Sequence, residues 1–345
     1  MKIVIANYFF DATLTSEMDL LRQYYTVVGW AEALQKLGCE VTVISRFNKN
    51  RHVQINNVTY MFFHDGLGPV LRSWQIPRRF LKAVAALKPD VVHLHHLSLS
   101  LQTVLLRRLL PKHTAIIIQH HGGKMEHNWK MSIHNRLKNS ADGYFFTTRE
   151  QGEWWFANNS QRNKIMPVME GATYFDFDNR DADQDYDYAD RKINRQKTGM
   201  SGTPVFLWVG RLDRNKDPLT ILSGFEKLLL QFPQASLYMI YHEDELVNEV
   251  NDKIINSAIL KPSVHLLGSI PHLIIEAYYN SADYFVLGSH YEGSGYALSE
   301  ALRCGCVPIV TDIPSFRMMT NGGQLGPLWQ PDNSKSFVDA VNTAK

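Results

Sequence analysis

Short apolar runs of four to six residues recur along this chain, each followed by a longer stretch with helical spacing. That alternation narrows the choice of folds more than any other feature. In the first half the runs lie at 2–7, 41–45, 58–63, 91–94, 115–119 and 141–147. Helical stretches fall between them, around 18–37, 77–87 and 99–110. In the first of these, Leu20, Leu21, Tyr24, Val27, Val28, Ala31 and Leu34 recur at three- and four-residue spacing, and Gly38 stands where a helix C-cap belongs. Most of the runs are apolar at nearly every position rather than at every second one. Such strands are buried on both faces, which predicts a parallel sheet with helices on both sides.

A second series of the same kind begins after residue 200. Strands are expected at 205–209, 237–241, 264–267, 282–287 and 308–311, with helices at 218–230 and 297–304 and a last one over 336–345. A chain of 345 residues exceeds what one hydrophobic core usually holds. The expectation is two successive doubly wound α/β domains facing a cleft: 1–168, a connector with the start of the second domain at 169–204, and 205–345. The connector contains DFDNRDADQDYDYADRK, dense in Asp and almost free of aliphatic residues. An EF-hand loop needs Gly at its sixth position and Glu at its twelfth, and this stretch supplies neither, so it reads as a solvated link. No fixed-period repeat points to a solenoid.

The N-terminal run meets Asp11 without a small-residue cleavage site, which reads as a buried first strand and not a signal peptide. No stretch of about 18 apolar residues is present to span a bilayer. Cys39, Cys304 and Cys306 lack metal-ligand spacing and fit reduced thiols, so a cytoplasmic location is expected. Residues 1–168 hold 21 Lys and Arg against 11 Asp and Glu, whereas 169–345 hold 15 against 23. A net +10 beside a net −8 allows either mutual attraction of the halves or an anionic partner for the basic one, including peripheral contact with the inner face of an anionic membrane. No dense basic run calls for a nucleic acid.

The residues that carry chemistry lie in the second half. At 284–312, YFVLGSHYEGSGYALSEALRCGCVPIVTD, a buried strand enters the loop Glu292-Gly293-Ser294-Gly295, which opens a helix. Glycines there let backbone approach a ligand, and a helix N-terminus suits a phosphate. Carboxylates are poor neighbours for phosphate but accept hydrogen bonds from vicinal hydroxyls, so Glu292 and Glu300 together suit a nucleotide sugar. Arg211 and Lys216 follow the strand at 205–209, where a ligand sits in such a fold, and two cations can neutralise a diphosphate without a metal. Eight of the fourteen histidines lie between 93 and 134. Zinc is not expected there, because cysteine is absent and no pair has four-residue helical spacing.

The run GRLDRNK and the segment from Val264 to Asp312, in that order, resemble the C-terminal domain of the retaining family-4 glycosyltransferases, of GT-B fold. Two glutamates separated by seven residues are that family's signature, matched by Glu292 and Glu300. The resemblance implies that Glu292 contacts the donor sugar and Glu300 the ribose. It further implies that Ser294, Gly295 and Tyr296 present backbone groups to the phosphates, that Arg211 and Lys216 hold the diphosphate, and that the base lies near 267–270. In the first half, PDVVHLHH, IIIQHHGG, ADGYFFTT and PVMEGATYF resemble the family's acceptor-side domain. Its active-site histidine falls on His121 or His120; His121 precedes two glycines and is the choice made here. Many members carry a Gly-Gly loop after the first strand, whereas this chain has NYFFDATLTSEMDLL, and no site is carried over to it.

The expected activity is transfer of a hexose-type sugar from a nucleotide-diphosphate sugar, as co-substrate, to a glycan or lipid-linked acceptor of cell-surface polysaccharide or glycoconjugate synthesis, with no cofactor and no metal. The rivals are a nucleotide-sugar epimerase of the same fold and an inactive sugar-nucleotide-binding protein.

Overall fold

The computed structural model describes residues 1–95, 97–122, 140–156, 159–169, 171 and 188–344. The chain forms two compact units, residues 1–169 and 170–345.

In the first unit, β1 (Lys2–Asn7), β2 (Glu40–Arg46), β3 (Arg51–Ile55), β4 (Val58–Phe63), β5 (Val91–Leu94), β6 (Ala115–Gln119), β7 (Gly143–Phe146) and β8 (Ile165–Pro167) form one sheet. Its order is β3-β4-β2-β1-β5-β6-β7-β8. The pairs from β4 through β8 are parallel, as the unbroken apolar runs predict. Successive side chains of β1 point to opposite faces. Ile3 and Ile5 therefore join one buried cluster, with Val27, Ala31, Val41 and Val43. Val4 and Ala6 join the other, with Phe80, Leu81, Val84 and Leu106.

Two features depart from the expectation. The edge strand β3, in a stretch to which the sequence reading assigned no element, pairs antiparallel with β4. β3 is half-exposed and mostly polar, so hydrophobic patterning does not reveal it. The signal it does carry is Asn56-Asn57, both at positive φ (50° and 60°), as a two-residue type I′ hairpin requires. The helix expected over 18–37 is two, α1 (Glu17–Gln23) and α2 (Tyr25–Lys36). They are separated by Tyr24, whose φ of −99° and ψ of 41° leave the helical region. The unit is completed by α3 (Arg78–Ala86), α4 (Ser100–Leu109), α5 (Arg149–Trp155) and α6 (Asn159–Arg162).

The second unit holds β9 (Val205–Gly210), β10 (Ser236–Tyr241), β11 (Val264–Gly268), β12 (Tyr284–Leu287), β13 (Val307–Thr311) and β14 (Leu328–Trp329). All are parallel, in the order β11-β10-β9-β12-β13-β14. Around it lie α7 (Tyr188–Thr198), α8 (Pro218–Leu228), α9 (Val247–Ile255), α10 (His272–Ser281), α11 (Tyr296–Arg303), α12 (Pro314–Met319) and α13 (Ser334–Thr343). Val205, Phe206, Leu207 and Trp208 are wholly buried, as a strand covered by helices on both sides must be. Most of the acidic connector lies outside the described residues. Its end is helical: Arg191 and Arg195 of α7 bond Asp283 at 3.0 and 2.7 Å. At the start of the last helix, Asn333 caps the Ser336 N–H at 3.0 Å. Among the described residues no helix is long and apolar enough to cross a membrane.

Candidate functional site

In the second unit the strand order runs outward in one direction from β9 and in the other from β12. At such a reversal the loops leaving the two carboxyl ends diverge and open a crevice, the usual ligand site of a doubly wound sheet. The two loops here are 211–217 and 288–295, and they are tied together. A Cβ on Gly288 would lie 2.9 Å from the Asp217 carbonyl oxygen and 3.1 Å from that of Lys216, so only glycine permits this approach. His290 donates its N–H to the Asn215 carbonyl at 2.9 Å, and the Asn215 amide returns a bond to the Tyr291 carbonyl at 2.9 Å.

This clamp brings Lys216 and Glu292 together. The Lys216 Nζ bonds Glu292 Oε1, which also accepts from the Ser289 hydroxyl at 2.6 Å. Both partners are largely buried, so the pair is screened less than a surface one. Arg211 is not brought into it. Its half-exposed guanidinium pairs with Asp213 at 3.2 Å and Glu243 at 3.8 Å.

The loop ends at α11. Ser294 is buried, and Gly295 is the N-cap at φ 64°, a conformation that favours glycine. A Cβ there would also lie 2.7 Å from Met319 Sδ. Having no side chain, Gly295 cannot cap the first turn of α11, which begins at Tyr296. Glu300, one turn further, is 4% exposed. Its Oε1 meets His272 Nε2 at 2.8 Å and its Oε2 accepts from the Tyr279 hydroxyl at 2.9 Å. Burial first, and then the Glu300 carboxylate, hold the Tyr279 phenol well above its ordinary pKa, so it remains a donor. His272 opens α10 just after the 267–270 stretch, near which the base is expected.

Sequence reasoning missed Ser289, Asn215, His272 and Tyr279. All four lie inside the segments that carry the family resemblance, but each matters only through the glutamate or loop it touches. It also missed that Asp217, His290 and Asp332 place one potential ligand atom each within 4.8 Å of one another.

In the first unit, His95 and His121 follow the adjacent parallel strands β5 and β6. Their rings stack 4.7 Å apart, with Nδ1 of His95 2.6 Å from Nε2 of His121. The His93 ring lies tilted against that of His95, 4.5 Å away. His120 is buried between Phe146 and Trp155, at 5.1 and 4.9 Å, whereas His121 is half-exposed. The two neighbours therefore point in different directions, as strand alternation requires. His96, His127 and His134 lie outside the described residues.

Residues 190–345 match the family model described as Glycosyl transferases group 1, and residues 25–168 match that of Glycosyltransferase Family 4. Among curated proteins, the chain is 32% identical over 138 residues to a GDP-mannose:cellobiosyl-diphosphopolyprenol alpha-mannosyltransferase of Xanthomonas campestris. That match covers 40% of this chain and 36% of the relative. It is 25% identical over 272 residues to an uncharacterized glycosyltransferase of Methanocaldococcus jannaschii, covering 73% and 63%. Among solved structures, Anabaena HepE in complex with UDP superposes with a TM-score of 0.71 at 14% identity, covering 99% of this chain and 89% of that one. A glycosyltransferase from Rickettsia africae gives 0.71 at 15%, covering 99% and 88%. Taken with two Rossmann-like units and the loop pair at the reversal of the second sheet, these matches make the chain a member of glycosyltransferase family 4, with the GT-B fold.

Proposed function

We propose that the chain is a retaining glycosyltransferase that moves a hexose-type sugar from a nucleotide-diphosphate sugar to a glycan or lipid-linked acceptor, as in cell-surface polysaccharide synthesis. The observation that carries this is the joining of Lys216, Glu292 and the Gly295-led start of α11 at one strand-order reversal, beside a buried Glu300 held by two donors. Solved relatives hold UDP, and the Xanthomonas relative is named for a polyprenol-linked acceptor, which supports the donor and acceptor classes. The named relatives are transferases, which does not favour the epimerase.

In this reading Glu300 accepts the ribose hydroxyls. Tyr279 and His272 occupy part of its hydrogen-bonding capacity and hold its carboxylate in one orientation. Glu292 accepts from the sugar hydroxyls. Lys216, Arg211 and the α11 N-terminus stabilise charge that grows on the diphosphate as the glycosidic bond breaks, and Ser294, Gly295 and Tyr296 line that approach. No evident carboxylate serves as a covalent nucleophile, so the departing phosphate oxygen takes the acceptor's proton on the same face. His121 hydrogen-bonds the donor sugar and orients its anomeric carbon.

Because two cations serve the diphosphate, activity is expected to survive EDTA, and Lys216→Ala to lower turnover by about 10²–10³. Titration calorimetry with UDP, GDP, ADP and dTDP tests the site, and NMR of the product anomer tests retention. Binding of none of the four sinks the donor reading. An inverted anomer sinks the mechanism alone.

A further inference from the structure

We propose that Asp217, His290 and Asp332 bind one zinc ion, which fastens the two loops of the strand-order reversal to the turn before α13. Four observations support this.

The first is spacing. His290 Nε2 lies 3.6 Å from Asp217 Oδ2 and 3.5 Å from Asp332 Oδ1, and the three ligand atoms all lie within 4.8 Å of one another. Both imidazole distances are too long for a hydrogen bond, which spans about 2.7–3.2 Å. They match the edge of a tetrahedron instead: ligands about 2.0–2.2 Å from zinc stand about 3.4 Å from each other.

The second is an unanswered charge. Asp217 Oδ2 is wholly buried and accepts no hydrogen bond among the described residues. Neither Asp217 nor Asp332 pairs there with a Lys or Arg. Lys216, the neighbour of Asp217 in sequence, is taken by Glu292. A buried carboxylate oxygen beside a second carboxylate is costly without a positive partner. A divalent cation cancels both charges, and the neutral imidazole completes three ligands.

The third is that the ligands are held by bonds that do not involve a cation. Asp217 Oδ1 accepts the Thr220 N–H at 3.2 Å and so caps α8, which leaves Oδ2 for the metal. His290 is fixed through its backbone N–H on the Asn215 carbonyl at 2.9 Å. Asp332 lies in a turn where the Asn333 N–H meets the Gln330 carbonyl at 3.3 Å and the Gln330 N–H meets Ser336 Oγ at 3.0 Å. That turn opens α13, which seats on α8. A Cβ on Gly224 would run into the Phe337 ring, and Lys227 Nζ donates to Ser334 Oγ at 2.9 Å.

The fourth is the donor set. Magnesium and calcium take oxygen ligands at six or more places, whereas an imidazole favours zinc. Three protein ligands at tetrahedral spacing leave a fourth place for water. The Asp332 side chain is 79% exposed, which gives the ion a way in.

Lys216 adjoins one ligand, and Glu292 lies two residues beyond another. The cation therefore stiffens both loops of the donor site. It was not expected from the sequence, and it leaves the diphosphate to Lys216 and Arg211. Turnover then survives EDTA while the thermal midpoint falls.

The test starts from the full chain stripped with EDTA, freed of the chelator and titrated calorimetrically with zinc chloride in the absence of nucleotide. Loss of H290Q and D332N binding heat identifies the site: each should weaken zinc by more than the tenfold or so that loss of a supporting group costs. D217N should do the same while keeping the α8 cap, because asparagine caps as well as aspartate. Magnesium and calcium chloride should give no heat. Zinc at about a hundredfold excess over its dissociation constant should raise the wild-type midpoint by about 5–10 °C. D332N removes an exposed side chain, so its zinc-free midpoint and nucleoside diphosphate affinity should equal wild type, which shows that it folds. No zinc binding, equal binding of magnesium, or variants that bind zinc like wild type would each overturn the proposal. Zinc binding without binding of any nucleoside diphosphate leaves the cation site standing and sinks the donor reading, and the reverse outcome sinks the cation site alone.

Discussion

At the scale of single residues, Glu300 is the position where burial turns a carboxylate into a recognition element. Removing it from water is costly unless its oxygens are bonded, and His272 and Tyr279 supply those bonds. Glu300→Ala is expected to weaken nucleoside diphosphate binding by about 1.5–3 kcal/mol, read by calorimetry. Tyr279→Phe, which leaves the carboxylate in place but frees one oxygen, should weaken it several-fold and leave the fold intact. Unchanged affinity in both variants would end the ribose assignment. The adjacent histidines should separate by readout. His121→Ala is expected to lower turnover strongly at unchanged thermal midpoint and nucleotide affinity. His120→Ala, which empties the space between Phe146 and Trp155, should lower the midpoint. A stable, inactive His120→Ala beside an active His121→Ala would transfer the role to His120.

At the scale of elements, the start of α11 depends on one backbone conformation. Gly295 combines φ 64° with a Met319 sulfur where a Cβ would stand. Gly295→Ala is expected to cost about 1–2 kcal/mol in chemical unfolding from backbone strain alone. It should also weaken diphosphate binding, because the loop that presents 294–296 must shift. A variant with wild-type stability and affinity would show that the loop is slack. The β3–β4 hairpin shows the same dependence on local conformation. Two asparagines at positive φ mark the turn, and the strand before it carries no pattern because its edge position exposes most of it.

At the scale of the whole molecule, buried phenols set a limit on alkaline stability. Burial is the main reason that Tyr8, Tyr60, Tyr144 and Tyr279 are all raised above the ordinary tyrosine pKa of 10. In the unfolded chain they ionise near that ordinary value. The folded state therefore keeps protons that the unfolded state releases, and stability is full below about pH 10 and falls as pH rises beyond it. Thermal midpoints measured from pH 7 to 11 should hold and then drop steeply, with part of the phenolate absorbance of the fifteen tyrosines appearing only on unfolding. Ionisation of all fifteen tyrosines near pH 10 in the still-folded protein would contradict the burial.

Much of this protein was legible without coordinates, for a definite reason. Strands covered on both faces must be apolar throughout, so β1, β2, β5, β6, β9, β12 and β13 show in the sequence as unbroken runs. Glu292, Glu300, Arg211 and Lys216 were legible because their spacing resembles a family pattern. What only the tertiary structure decided is pairing across long separations. Lys216 meets Glu292 across 76 residues of chain because β9 and β12 are neighbours, and Tyr279 meets Glu300 because α10 lies beside α11. The same holds for Arg211, whose partners Asp213 and Glu243 keep it apart from the Lys216–Glu292 pair. Periodicity reports how deeply a segment is buried; which side chains then meet is set by strand order, and no local stretch of sequence encodes that.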